Sequence, residues 1–202
     1  MAEVIRNNLG TQQRKAGVGI RRHAVAAAVA IAAASASSAW ATSYSWDPGA
    51  TPATPSGGNG AWNISNPYWA NAGNDFIWTN AASDTATFAG TAGNISITAP
   101  IQANALTFTT AGYALSGGSG GSFVLSGTTP TITTTADATF NAAIGGTAGL
   151  TKAGAGTLTL GGVNTYTGNT TLNAGKITLG TGAAFASSSN IVLNGASTLD
   201  LG

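Results

Sequence analysis

The chain has 202 residues, enough for one domain with a buried core, and only 6% of them carry a charged side chain. Soluble proteins usually have roughly 25% charged residues. Five of the seven basic residues fall within the first 22 positions, so the rest of the chain lacks the basic surface that nucleic-acid binding requires. There is no cysteine, which excludes disulfides and thiolate metal sites.

Residues 1–41 have the pattern of a secretory signal peptide. A basic segment is followed by an apolar run of eleven residues at positions 24–34, which is too short for a membrane anchor. Small residues at Ala39 and Ala41 suit cleavage after Ala41. Removal of this segment leaves two lysines against five aspartates, a net charge of −3. We therefore expect an exported, weakly acidic protein.

Two details of export stay open. Ala36 offers an alternative cleavage position, and Arg21-Arg22 leaves the twin-arginine route beside the general secretory route. His23 is the only histidine, so the exported chain has neither imidazole nor thiol for nucleophilic catalysis.

Residues 42–83 form an aromatic-rich segment that differs in composition from the rest of the chain. One hypothesis is a glycan-binding platform of stacked rings, and the other is an N-terminal cap that closes the open end of a repeat structure. We favour the cap, because an uncovered strand edge would pair with other chains. The tryptophans on which both hypotheses rest are Trp46, Trp62, Trp69 and Trp78.

Residues 84–202 consist of short alternating runs separated by turn-forming glycine and asparagine, the pattern of half-buried strands. Apolar residues recur about one coil apart, and two-residue hairpin signals are scarce. This favours a parallel β-solenoid over an antiparallel sandwich. The strands predicted are Thr85–Phe88, Asn94–Thr98, Ala105–Thr109, Tyr113–Leu115, Ser122–Leu125, Thr131–Thr134, Ala138–Ile144, Thr157–Leu160, Thr170–Leu172, Lys176–Leu179, Asn190–Leu193 and Thr198–Leu201. The spacing rests on Leu106, Leu125 and Ile144, and on Leu160, Leu179 and Leu199.

The stretch at residues 150–180 carries a more specific pattern. It contains GAGTLTL at residues 154–160, NTYTG at residues 164–168 and TTLNAG at residues 170–175. This combination resembles the autotransporter-associated β-strand repeat of bacterial passenger domains. The resemblance implies an all-β, right-handed parallel β-helix displayed on the outer membrane or released from a Gram-negative cell. It also implies a C-terminal outer-membrane translocator barrel, expected outside these residues.

Catalytic chemistry finds little support in the sequence. Asp75 and Asp84 are the only carboxylate pair near the aromatic segment, and each lies in a turn-like context that predicts a capping role. No cofactor or metal site is predicted, because the glycine-rich stretches lack the aspartates or the Gly-Lys-Ser/Thr that calcium or phosphate loops require.

We therefore predict a non-catalytic β-helical passenger that serves as a stalk or as an adhesive surface for glycans or other cells. The first alternative is a secreted polysaccharide-binding or polysaccharide-acting β-solenoid that uses the four tryptophans. The second is a truncated gene product without independent function, because the sequence stops directly after a strand-like run.

Overall fold

A computed structural model describes residues 41–49, 54–186 and 190–202. The predicted signal segment up to residue 40, including Ala39, lies outside the described residues. Among the described residues, none forms a helix with the length and hydropathy that crossing a membrane requires. The strands are β1 (Ser43–Trp46), β2 (Gly60–Trp62), β3 (Trp69–Asn71), β4 (Asn74–Phe76), β5 (Thr85–Phe88), β6 (Asn94–Ile97), β7 (Pro100–Ala103), β8 (Ala105–Phe108), β9 (Tyr113–Gly117), β10 (Ser122–Leu125), β11 (Thr131–Thr134), β12 (Ala138–Phe140), β13 (Ile144–Gly145), β14 (Leu150–Ala153), β15 (Thr157–Leu160), β16 (Thr170–Leu172), β17 (Lys176–Leu179), β18 (Ile191–Leu193) and β19 (Thr198–Asp200).

The strands form three sheets of a β-solenoid, which confirms the all-β parallel architecture. In the first sheet, β1, β5, β8, β11, β14, β16 and β18 run parallel. In the second sheet, β2, β6, β9, β12, β15, β17 and β19 do the same. The third sheet contains only β7, β10 and β13. The chain therefore passes through the first and second sheets once in each coil, and each coil hydrogen-bonds to the next.

Alternation within each strand decides which side chains enter the core. In β15, Leu158 and Leu160 are buried while Thr157 and Thr159 are half-exposed, and most other strands share this pattern. Inward side chains of successive coils lie directly above one another, as Leu106 does on Ile132. A thin apolar core can thus continue along the solenoid, because each coil covers the inward face of the preceding one.

At the N-terminal end of the solenoid, an antiparallel hairpin covers the edge of the first sheet, and β2 is the last strand of the second sheet. β3 pairs antiparallel with β1 and then with β4, so the parallel stacking of the first sheet stops at this edge. β1 and β2 pair in parallel with β5 and β6, so the aromatic segment also supplies a first coil. The domain boundary after residue 83 stays a prediction. The hairpin protects the strand edge that would otherwise be open to other chains.

The observed strand positions agree with the sequence-based prediction more closely than the observed spacing between coils does. Leu160 and Leu179 are paired, as their spacing predicted, but Leu199 lies beside Ile177 instead. The other predicted column was wrong: Leu106 belongs to the first sheet, whereas Leu125 pairs with Ala103 in the third. Ile144 pairs with Phe123 there. Coils vary in length, so a fixed interval does not identify neighbours.

Candidate functional site

The four tryptophans of the aromatic segment are packed against one another inside the N-terminal end. Their exposed fractions are between 0% and 1%. Trp69 is at the centre, with ring centroids 5.1 Å from Trp46, 4.8 Å from Trp62 and 4.7 Å from Trp78. The indole N–H of Trp46 donates to Gly58 O at 2.9 Å. Buried rings present no face to a sugar, so this packing favours the cap and disfavours the glycan platform, which stays a prediction.

Of the two aspartates considered near this segment, Asp84 holds a turn as predicted, whereas Asp75 lies in a strand and not in a turn. The Asp84 carboxylate is buried and accepts hydrogen bonds from the Thr79 hydroxyl and from the Ala81 amide, the latter at 2.9 Å. Asp75 lies in β4 of the hairpin, opposite Ala70. The structure therefore assigns Asp84 to a turn and not to a proton-transfer pair. Within the described ranges, no three histidine, cysteine, aspartate or glutamate side chains are grouped as a metal site.

The NTYTG segment of the repeat contains a side chain that joins three coils. Asn164 is 3% exposed. Its side-chain oxygen accepts the Ile144 amide at 3.0 Å, and its amide group donates to Gly162 O at 3.2 Å and Ala184 O at 2.8 Å. Asn164 thus satisfies backbone groups at a corner where the third sheet has ended. Asn164, the first residue of the NTYTG motif, is therefore a buried bridge between coils.

Two neighbours complete this corner. The Tyr166 ring is buried and its hydroxyl hydrogen-bonds to the Thr170 hydroxyl, while burial raises the pKa of Tyr166 above its usual range. Gly168 stacks on Gly149 so closely that a Cβ atom at Gly168 would lie 2.3 Å from the Gly149 nitrogen. The repeat therefore requires glycine here for the close approach of successive coils.

Lys152 is the residue that sequence reasoning missed. It occupies an inward position between Ile132 and Leu172 and is 0% exposed. Its ammonium donates to the carbonyl oxygens of Ala153 at 2.8 Å, Gly154 at 2.7 Å and Ala174 at 3.2 Å. The alternation of side chains along the strand could have identified it, because Lys152 is two residues from the buried Leu150 and therefore points to the same face.

Burial lowers the pKa of Lys152 to about 8, and the negative charge of Asp137 offsets part of this effect. The three carbonyl oxygens replace water around the ammonium. Lys152 therefore joins two coils, since Ala153 and Gly154 belong to its own coil and Ala174 belongs to the next.

The outward faces carry the polar side chains available to a partner. Threonines of successive coils lie in register, at a separation of about 4.8 Å between neighbouring strands. These rows, which we call the threonine ladders, are nearly free of charge; Asp200 pairs with Lys176 at 2.7 Å at the far end. On the first sheet one row contains Thr85, Thr131, Thr151 and Thr171, with Ala105 between Thr85 and Thr131, and a second row contains Thr87, Thr107 and Thr133. On the second sheet the ladder consists of Thr139, Thr159 and Thr178.

Comparison with known proteins agrees with this geometry. Residues 150–179 match the model of the passenger-associated-transport-repeat family. The chain is 44% identical over 151 residues to the adhesin BmaC autotransporter of Brucella suis biovar 1 (strain 1330), and the alignment covers 72% of this chain. The aligned part is 4% of the length of that relative. No solved structure matches the chain.

The family match covers residues 150–179, which include both Lys152 and Asn164. The relative extends the similarity well beyond these residues. The chain is therefore a repeat domain of the autotransporter passenger type.

Proposed function

We propose that this domain is a non-catalytic, surface-displayed segment that contributes an adhesive face to a longer autotransporter. The observation that carries the proposal is the pair of threonine ladders on a solenoid of the passenger type. Threonine presents a hydroxyl and a methyl group in a fixed orientation, because its side chain is stiff at χ1. Repeated at the strand spacing, these groups can hydrogen-bond to glycans or to the surfaces of other cells.

The route to the surface follows from the same family. An N-terminal export signal ending at Ala41 would direct the chain across the inner membrane of a Gram-negative bacterium. A C-terminal translocator barrel of the longer protein would then carry the passenger to the outer surface. Support for both steps comes from the signal-like pattern and from the autotransporter relative.

The test is adherence of beads that carry the full chain to mammalian cells and to a glycan array. We expect binding above that of uncoated beads, and we expect three lysines on the first ladder (Thr107→Lys, Thr133→Lys and Thr151→Lys) to reduce it. The matched control places three lysines on exposed turn residues outside both ladders (Ala111→Lys, Ala155→Lys and Thr181→Lys) and should leave adherence unchanged. Wild-type beads that bind neither cells nor glycans would leave only the stalk role.

Tryptophan fluorescence separates this proposal from the platform alternative. Buried indoles should show no quenching by soluble glycans, even where the beads adhere. Quenching that depends on glycan concentration would favour a platform formed by Trp46, Trp62, Trp69 and Trp78.

A further inference from the structure

A groove runs along the third face of the solenoid, across several coils. Three adjacent hollows of about 170, 330 and 510 Å³ form it. The first two share Ser122 and Val124 in their walls, and the last two share Thr165. We call this continuous feature the third-face groove; it extends from Asn80 at one end to Phe185 at the other.

The groove exists because the outward-facing position in β13 is a glycine, Gly145, which has no side chain. Gly145 pairs with Val124, so a side chain there would point outward beside Val124. A Cβ atom at Gly145 would lie 3.4 Å from the Thr165 hydroxyl oxygen and 3.9 Å from a Val124 methyl group. Both are ordinary contacts, so the position tolerates a side chain but has none. Gly145 therefore forms the floor of the groove.

The walls combine apolar and neutral polar groups. Val163 is 59% exposed and lies in the same hollow as the half-buried ring of Phe185. Thr165 and Thr167, both exposed, line the same hollow with hydroxyl groups. None of the described residues in the walls is charged. A ligand that carries charge would lose hydration here without gaining a partner, so the groove favours an uncharged one.

An added peptide strand is disfavoured at this face. Such a strand needs free backbone groups on a sheet edge. On the side of β13 that faces away from β10, the backbone groups of Ile144 are already used. Its amide donates to the side-chain oxygen of Asn164, and its carbonyl accepts from the Thr165 amide at 2.8 Å. Recognition must therefore use side chains. Alternating hydroxyl and hydrocarbon surfaces match the polar edge and apolar face of a sugar ring.

We propose that the third-face groove binds an extended, uncharged polysaccharide chain, with the Gly145 floor providing the space for a sugar ring. This inference rests on the proposed adhesive function and specifies the ligand class and the site. It places sugar binding on a different part of the molecule from the four buried tryptophans.

Isothermal titration of the full chain with neutral hexasaccharides tests the proposal. The probes are cellohexaose, maltohexaose and laminarihexaose, with a hyaluronan hexasaccharide as the charged comparison. We expect at least one neutral probe to bind and the hyaluronan probe not to bind. Gly145→Gln fills the floor and should weaken binding by at least about tenfold, which corresponds to about 1.4 kcal/mol. Ala155→Gln adds the same side chain at an exposed turn outside both the groove and the threonine ladders, and should leave binding unchanged.

The outcomes separate this inference from the proposed function. Bead adherence that persists when no hexasaccharide binds would overturn the groove and leave the adhesive role intact. Neutral-probe binding unaffected by Gly145→Gln would place the sugar elsewhere and also overturn it. Displacement of a bound probe by an uncharged extended peptide, with the peptide binding more tightly, would replace the polysaccharide by a peptide as the ligand. Loss of both adherence and hexasaccharide binding would count against both proposals.

Discussion

Lys152 places an ammonium group inside a core that is otherwise apolar at this point. Its folded pKa of about 8 lies below its ordinary value of 10.5. Between these two values the unfolded chain binds more protons than the folded chain, so the free energy of unfolding rises with pH in that interval. Below pH 8 both states are protonated and Lys152 adds no pH dependence.

We therefore expect wild-type stability to increase by about 1 kcal/mol between pH 7 and pH 9, and Lys152→Met to abolish this increase. Urea unfolding at both pH values measures it. Burial raises the pKa of Tyr113 and of Tyr166, which lowers stability only above their ordinary value of 10, outside this range. An equal pH response in wild type and Lys152→Met would show that the buried ammonium is not the cause.

Asn164 shows how one polar residue can replace part of a sheet. Its side chain satisfies one amide and two carbonyl groups from three different coils. Asn164→Ala leaves the buried Ile144 amide unpaired, whereas Ala184 O and Gly162 O keep backbone donors, so we expect a loss of about 2 kcal/mol in the free energy of unfolding. Asn173→Ala is the matched control, because Asn173 is exposed and accepts one bond from Asn194; its effect should stay below about 0.5 kcal/mol. Thermal unfolding of the two variants makes the comparison.

At the scale of the element, sequence predicts strands where alternation is undisturbed and fails where one residue breaks it. Thr85–Phe88 and Lys176–Leu179 were predicted with the observed bounds. β14 was not identified as a strand because Lys152 occupies a core position, and β7 was missed because it begins with Pro100, which a strand tolerates at its first residue. The predicted strand Ala138–Ile144 is two strands, since the chain turns a corner after Phe140.

Coil length resisted prediction for a different reason. Thr85 pairs with Ala105 and Thr131 with Thr151, each 20 residues apart, whereas Ala105 pairs with Thr131, 26 residues later. Loops between coils lie on the surface, where extra residues change the free energy little. The strand pattern is thus under strong physical constraint and the interval between strands is not. The threonine ladders could be anticipated from alternation, but the third-face groove depends on register and could not.

The hairpin β3–β4 couples the aromatic cluster to the protection of the strand edge. Trp69 and Phe76 are paired across it, yet Trp69 is 0% exposed and Phe76 is 40% exposed. Trp69→Ala should cost about 4 kcal/mol, because it removes the ring at the centre of the cluster. It should also uncover β1 and promote self-association, measured by light scattering. Phe76→Ala is the control, with a smaller loss and no change in scattering. Equal behaviour of the two variants would mean that the hairpin does not depend on the cluster.

At the scale of the whole molecule, stability is distributed along the axis, because each coil contacts mainly its neighbours. The four described tryptophans all lie at the N-terminal end, so their fluorescence reports on that end alone. Far-ultraviolet circular dichroism reports on every coil. The two signals together can show whether the solenoid unfolds as one unit or from one end.

Substitutions that create a cavity near one end of the core or near the other should therefore affect the fluorescence and dichroism transitions differently. Ile95 and Ile177 are both 0% exposed, Ile95 near the N-terminal end and Ile177 near the other end. Each change to alanine should cost about 3 kcal/mol locally. We expect Ile95→Ala to shift both the fluorescence and the dichroism transitions in urea. Ile177→Ala should make the dichroism transition begin earlier while the fluorescence transition stays near that of wild type. Equal shifts of both signals by Ile177→Ala would instead show that the coils unfold cooperatively from end to end. In that case the N-terminal hairpin and the repeat at residues 150–179 stabilise each other across the intervening coils.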